Sequence, residues 1–306
     1  MRIMLTNFSN ELADIVVASS PSVVQVRAGG RAASGVIYQA NLILTTGRVV
    51  GRDEHPEVRT SDGRLVPSEI AGWDPASRLV LLKMSDGGPD KVRPTTPGVE
   101  APALTAGPLP RVGSVALAIG RSLSNNVTAS AGIVSIIGGP LRTGHRRQLE
   151  QVIRISAPLH DGFAGGAVIG ADGQLIGVAT AAAIRGLAVV IPAGIAWDSA
   201  RTMLERGATR RGYLGIAAQP VRVPEKQRSS RAGAEALLVV GVTDASPAAD
   251  AGLLVGDLLL ALDDVALTSL EDLIDLLVGE RVGRPVKIRV QRGGADVDVS
   301  VTPKER

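Results

Sequence analysis

The chain has 306 residues, 45% of them hydrophobic, and a formal net charge of +3. That is enough apolar material for two or three domains with their own cores, and so small a charge gives no basic footprint for nucleic acid. It holds no cysteine, which excludes disulfides, thiol catalysis and thiolate metal sites, and it has no apolar run of about eighteen residues, so no membrane-spanning helix is expected.

Aromatic residues make up only 2% of the chain, whereas glycine numbers 36 and proline 18. Cores of Val, Ile, Leu and Ala between many turns predict a mainly β protein. Residues 1–5 are too short an apolar stretch for a signal peptide. The chain as written is therefore expected in the cytoplasm, or outside it if residues before Met1 have been removed. Ser9 is read as the cap of a short amphipathic helix over residues 9–18. Strands are expected at residues 23–27, 34–38, 42–46, 65–71 and 79–83, a spacing that suits a small closed barrel. Residues 85–110, rich in Gly, Pro and Asp, read as a connection. A second set follows at 114–119, 130–136, 152–155, 167–169, 175–179 and 187–191. A closing helix is expected over 196–205, then a polar linker over 206–211. The last segment alternates strands (213–217, 236–242, 257–262, 286–291, 297–302) with helices over 246–251 and 269–278. The second helix opens on a Ser269 to Asp272 capping box.

The stretch Asp161-Gly162-Phe163-Ala164-Gly165-Gly166-Ala167 lies between two apolar runs and organises the rest. It resembles the nucleophile loop of the HtrA/Deg family of trypsin-like serine proteases, which reads Gly-Asn-Ser-Gly-Gly-Ala. Other landmarks agree in order. Ala33-Ser34-Gly35-Val36-Ile37 resembles Gly-Ser-Gly-Val-Ile. Leu42-Ile43-Leu44-Thr45-Thr46-Gly47-Arg48-Val49-Val50 resembles Tyr-Ile-Leu-Thr-Asn-Ala-His-Val-Val. Ser77-Arg78-Leu79-Val80-Leu81-Leu82-Lys83 resembles Thr-Asp-Leu-Ala-Val-Leu-Lys. The resemblance implies a double six-stranded β-barrel over residues 1–207, with barrels at about 20–98 and 110–192. An α+β PDZ domain over 212–306 would follow.

Carried over position by position, the resemblance puts Arg48 in the histidine place, Arg78 in the aspartate place and Ala164 in the serine place. A triad needs a nucleophile, a base and a carboxylate that orients the base. Alanine offers no nucleophile, and arginine stays protonated and cannot serve as a base. The expectation is a pseudoprotease that binds peptides or partner proteins as scaffold, chaperone or regulator. The alternative is an active serine-type endopeptidase using a non-standard constellation. The amides of Gly162 and Ala164 are read as a vestigial oxyanion loop, open to an anion unless the loop has collapsed and the arginines pair with Asp161 or Asp74. His55 and His145 are read as surface residues, and His160 as lining the old cleft. The histidines lack metal-ligand spacing, so no metal and no cofactor are expected.

In the last segment, Gly212-Tyr213-Leu214-Gly215-Ile216 resembles a PDZ carboxylate-binding loop, and Ser246-Pro247-Ala248-Ala249-Asp250-Ala251-Gly252-Leu253 with Gly256-Asp257 resembles the family signature. The resemblance implies capture of C-terminal peptides or unfolded polypeptides on Tyr213, Leu214, Gly215 and Ile216. Leu273 and Leu277 are candidates for a side pocket or for plain core. Leu5, Phe8, Leu12 and Ile15 form an apolar set ahead of the first strand. The resemblance implies trimers built through the protease domain, so a homotrimer, or a hetero-oligomer with an active paralogue, is expected, with this set as a subunit contact.

Overall fold

The computed structural model describes residues 2–50, 55–85, 103–144, 147–180, 188–206, 212–228, 233–277 and 279–305. Two compact units divide the chain, Met1–Ala208 and Thr209–Arg306.

The first unit opens with helix α1 (Arg2–Ser19). Strands β1 (Val23–Ala28), β2 (Arg31–Gln39), β3 (Leu42–Thr46), β4 (Glu57–Arg59), β5 (Leu65–Asp74) and β6 (Leu79–Met84) follow, with a short helix α2 (Gly47–Val50) after β3. They close in the order β1-β2-β3-β6-β5-β4. Closure removes the sheet edges, and the β-branched residues of β1 and β3 fill the inside. Val24, Val26, Ile43, Val58, Val80 and Leu82 are buried in one cluster.

A second barrel uses β7 (Val115–Arg121), β8 (Val127–Gly138), β11 (Val152–Ile155), β12 (Ala167–Gly170), β13 (Leu175–Ala179) and β14 (Val190–Pro192). A side ribbon is made of β9 (Leu141–Gly144) and β10 (Arg147–Leu149). The barrel order is β11-β14-β13-β12-β7-β8. Helix α3 (Ala193–Arg206) buries Ala196, Ala200 and Met203 with Leu44, Leu79 and Leu81 of barrel one and Val178 and Ile191 of barrel two. The helix thus ties the barrels together.

The second unit holds β15 (Gly212–Tyr213), β16 (Ile216–Arg222), β17 (Glu235–Val242), α4 (Pro247–Asp250), β18 (Leu258–Leu262), β19 (Val265–Ala266), α5 (Leu270–Leu276), β20 (Val286–Arg292), β21 (Ala295–Val301) and β22 (Lys304–Glu305). The sheet runs β16-β17-β18-β20-β21, so β16 is an edge strand. The predicted capping box is present. Ser269 Oγ accepts from the Asp272 amide at 3.2 Å, and the Asp272 carboxylate accepts from the Ser269 amide at 2.9 Å.

Several elements differ from expectation. Helix α1 starts at Arg2, and Ser9 lies inside it rather than capping it. The three-residue β4, with Val58 as its one buried residue, was not expected. Helix α3 begins at Ala193, straight after the proline that ends β14. The expected strand over 187–191 starts at Val190, and residue 187 lies outside the described residues.

Candidate functional site

The loop with Ala164 joins β11 to β12 and is wound into a single 3-10 turn, Asp161–Phe163. Three short segments meet beside it. The amide of Gly47 donates to the carbonyl of Arg78 at 2.9 Å, which places the β3–α2 corner against the β5–β6 corner. Ala164, 1% exposed, shares one apolar cluster with Val49, Val50 and Trp73. The structure therefore brings the segments of Arg48, Arg78 and Ala164 together. The backbone of Arg48 lies in α2, and its side chain is outside the described residues.

What these segments hold is mostly packing. Gly47 is needed because a Cβ there would lie 1.9 Å from the Trp73 ring. Arg78 takes a left-handed backbone, φ 58°, a conformation that costs a non-glycine residue about 1 kcal/mol. Asp74 is held by two hydroxyls and an amide. Its carboxylate accepts from Ser77 Oγ at 2.6 Å, Ser199 Oγ at 2.7 Å and the Ala76 amide at 2.9 Å, which anchors α3 to the β5–β6 corner.

The expectation of open oxyanion donors is not met in this conformation. The Gly162 amide donates to His160 Nδ1 at 3.1 Å, and the Ala164 amide donates to the Asp161 carbonyl at 3.1 Å. Both amides are turned into the turn itself. The reason lies in the neighbours. Ser34 Oγ of β2 donates to the Gly162 carbonyl at 2.7 Å and accepts from the Arg121 amide at 2.8 Å. The Ser34 amide donates to the Ala164 carbonyl at 2.9 Å, and Thr45 Oγ1 donates to the Ser34 carbonyl at 2.7 Å. Ser34 and Thr45 lie in stretches that resemble the family, yet nothing local assigned them to the turn, because Ser34 reaches it from far along the chain.

Arg121 at the end of β7 is 5% exposed. It donates to the carbonyls of Ser20 at 2.7 Å, Val23 at 2.8 Å and Asn125 at 3.2 Å. Burial lowers its pKa from the ordinary arginine value. The cation acts as a bracket joining the end of α1 to both barrels. His55 is exposed and lies with Arg27, Arg31 and Glu57 beside the β1–β2 turn. His145 lies outside the described residues. No cluster of three or more His, Cys, Asp or Glu suited to a metal occurs among the described residues.

The second unit offers a different kind of site. Leu214 and Gly215 lie between β15 and the edge strand β16, and among the described residues their amides donate to no acceptor. Unspent amides at a turn form a ready anion cradle. The loop is held from behind, since the Ala248 amide donates to the Leu214 carbonyl at 2.9 Å and the Thr243 amide to the Gly215 carbonyl at 2.8 Å. Gly215 has φ 82°, and a Cβ there would lie 2.2 Å from Ser246 Cβ. Helix α5 packs beside β16. Leu273 and Leu277, candidates for a side pocket, are 3% and 6% exposed and belong to the domain core. Their neighbour Ile274 is the exposed apolar residue of the helix, at 36%. The i, i+4 pair faces inward because the helix must bury one stripe against the sheet.

Two buried carboxylates support this unit. Desolvation pushes Asp257 up, but hydrogen bonds from Arg292 and the Leu254 amide outweigh it and hold its pKa below the usual carboxylate value. The Arg292 guanidinium grips it with two bonds, at 2.8 and 2.7 Å. Asp272 behaves likewise. Burial raises its pKa, and the Thr268 and Ser269 bonds outweigh that and lower it.

Comparison with known proteins agrees with this geometry. Residues 33–178 match the trypsin-like peptidase domain, and residues 212–302 match the PDZ domain. The chain is 28% identical to the periplasmic pH-dependent serine endoprotease DegQ of Escherichia coli strain K12, over 88% of this chain and 58% of that protein. It thus spans little more than half the length of that relative. It is 27% identical to the E. coli serine endoprotease DegS, over 89% of this chain and 76% of that protein. Among solved structures it resembles the HtrA-type protease AlgW with a tripeptide, at a TM-score of 0.52 and 26% identity, over 96% of this chain and 97% of that one. It also resembles a serine endoprotease from Yersinia pestis, at a TM-score of 0.51 and 26% identity, over 95% and 97% of the two chains. The two-barrel unit carries a trypsin-like peptidase domain, the last unit is a PDZ domain, and the proteins this chain is similar to in sequence and structure are HtrA-type serine proteases.

Proposed function

We propose that this HtrA-type chain binds polypeptides without cleaving them, as a scaffold, chaperone or regulator. The observation that carries the reading is the content of the converged site. Ala164 presents a methyl group packed among Val49, Val50 and Trp73, and a methyl group cannot attack a carbonyl. Arg78 supplies no base and no orienting carboxylate. Histidine and serine chemistry is replaced by packing in the same space.

Binding is assigned to the PDZ groove between β16 and α5. A polypeptide C-terminus would place its carboxylate on the amides of Leu214, Gly215 and Ile216 and add a strand to the β16 edge. A strand of about four residues loses much of its contact energy to ordering, so affinity in the micromolar range is expected. AlgW has been solved with bound peptides, which supports the direction of this reading. Self-association fits the same picture. Ile15 and Val16 pack α1 onto the barrels, while Leu5 and Phe8 are 63% and 47% exposed. That free apolar end suits a homotrimer, or a mixed trimer with an active paralogue.

Fluorescence polarisation with labelled C-terminal peptides on the full chain tests the binding. Free-acid peptides ending in an apolar residue are expected to bind at least tenfold more tightly than their C-terminal amides. Equal binding of acid and amide overturns carboxylate capture.

A further inference from the structure

We propose that Pro220 sets how much of a polypeptide tail the PDZ groove reads, limiting it to about the last four residues. The inference rests on the assignment of carboxylate capture to the loop before β16. Pro220 lies in β16, is exposed, and stands opposite Leu237 of β17. Among the described residues, β16 is the edge strand of its sheet.

In an antiparallel ladder each residue turns its N–H and C=O to one side, and successive residues alternate. Bonds on both strands fix the side that Pro220 takes. The Val223 amide donates to the Ala234 carbonyl at 2.9 Å, so Val223 faces β17. In the same unbroken register Val221 and Gln219 face β17 too, and Pro220 and Ala218 face away from it. The partner strand agrees. The Val239 amide donates to the Asp257 carbonyl, and the Val239 carbonyl accepts from the Gly256 amide, both at 2.9 Å. Val239 therefore turns away from β16, and so does Leu237 two residues earlier. A proline, with no N–H to give, fits an edge strand on the open side alone.

The bulge in this pairing places its extra residue, Val240, on β17, so the alternation of β16 runs back to Ile216. A peptide with its carboxylate at the start of β16 runs antiparallel to the strand. Its last residue then pairs with Ile216, its third-last with Ala218 and its fifth-last with Pro220. Ala218 presents both a donor and an acceptor. Pro220 presents a carbonyl only, and its ring stands where an N–H would reach the peptide. The fifth-last carbonyl gains no bond and is held off by the ring, so strand addition stops before that residue. A partner needs to free only a short tail, because a longer extended segment gains nothing from β16.

Calorimetric titration of the full chain tests the limit. Acetylated free-acid peptides share three final residues, the last of them apolar, and are extended with alanine to five and eight residues. In the parent the three affinities are expected to agree within about twofold, less than the yield of one net hydrogen bond. In Pro220→Ala the three-residue peptide is expected to keep its parent affinity, which shows that the groove is folded. The eight-residue peptide is expected to bind that variant about fivefold more tightly than it binds the parent, through one restored hydrogen bond. A parent affinity that climbs beyond about twofold with length overturns the limit, and so does a folded Pro220→Ala that gains nothing from length. If Pro220→Ala loses the three-residue peptide, the parent series alone decides. Equal binding of the amidated three-residue peptide strikes the carboxylate reading itself, which stands when only the limit fails.

Discussion

The hydroxyl of Ser34 donates to the carbonyl of Gly162 at 2.7 Å and accepts from the amide of Arg121 at 2.8 Å. One fully buried side chain of barrel one therefore fixes the turn of barrel two. Ser34→Ala leaves a part-buried carbonyl without this donor and a buried amide without this acceptor. It is expected to cost about 1–3 kcal/mol, read as a lower urea midpoint with an unchanged slope for the unit carrying the two barrels. An unchanged midpoint would remove Ser34 from the account of why the turn is closed.

Gly47 and Trp73 form a second dependent pair. The family motif has alanine before its histidine, but here a Cβ at residue 47 would lie 1.9 Å from the indole ring. Gly47→Ala is expected to destabilise by about 1–3 kcal/mol through overpacking. Combined with Trp73→Leu, the loss is expected to fall well short of the sum of the two single changes. Additivity measured by calorimetry would place the two residues out of contact.

Stability of the PDZ unit should depend on acid through Asp257. Its folded pKa is lowered, chiefly against the opposing push of desolvation, by bonds from Arg292 and the Leu254 amide. A carboxylate of that kind contributes its stability above the unfolded value of about 3.9 and loses it as pH falls through the lower folded value. Asp257→Asn is therefore expected to lower the PDZ melting temperature at pH 7, and the difference from the parent to shrink below about pH 4. A constant difference across that range would contradict the assignment.

The peptide loop is checked by Gly215→Ala. The backbone there needs φ 82°, and the added methyl would press on Ser246. The amides of Leu214 and Gly215 would be displaced, and affinity for a free-acid peptide is expected to drop about tenfold, close to 1.4 kcal/mol. Retained affinity would move the carboxylate to another place.

Both barrels and the PDZ sheet were legible because Val, Ile and Leu runs such as Val23–Ala28 and Leu79–Met84 fall between glycine and polar turns. Strand β4 was not, since Glu57-Val58-Arg59 carries only one apolar residue and is a strand only because β1 and β5 flank it. Ser9 looked like a cap, yet the seven residues before it continue the helix. Leu273 was correctly placed on a helix and Leu277 caps its end rather than lying within it, but nothing local told their face from that of Ile274. In the candidate site, the residue types at 48, 78 and 164 were readable by motif. The His160 cap was not, because histidine is a rare capping residue and its bond depends on how Ser34 and Phe163 hold the turn.

The central claim is that the converged site does not cut peptide bonds, and incubation with casein tests it most directly. The full chain at micromolar concentration is expected to leave casein intact over many hours, with no difference between the parent and a Ser34→Ala or His160→Asn variant. Time-dependent cleavage that copurifies with the chain through several columns, and that a serine-directed inhibitor stops, would contradict it.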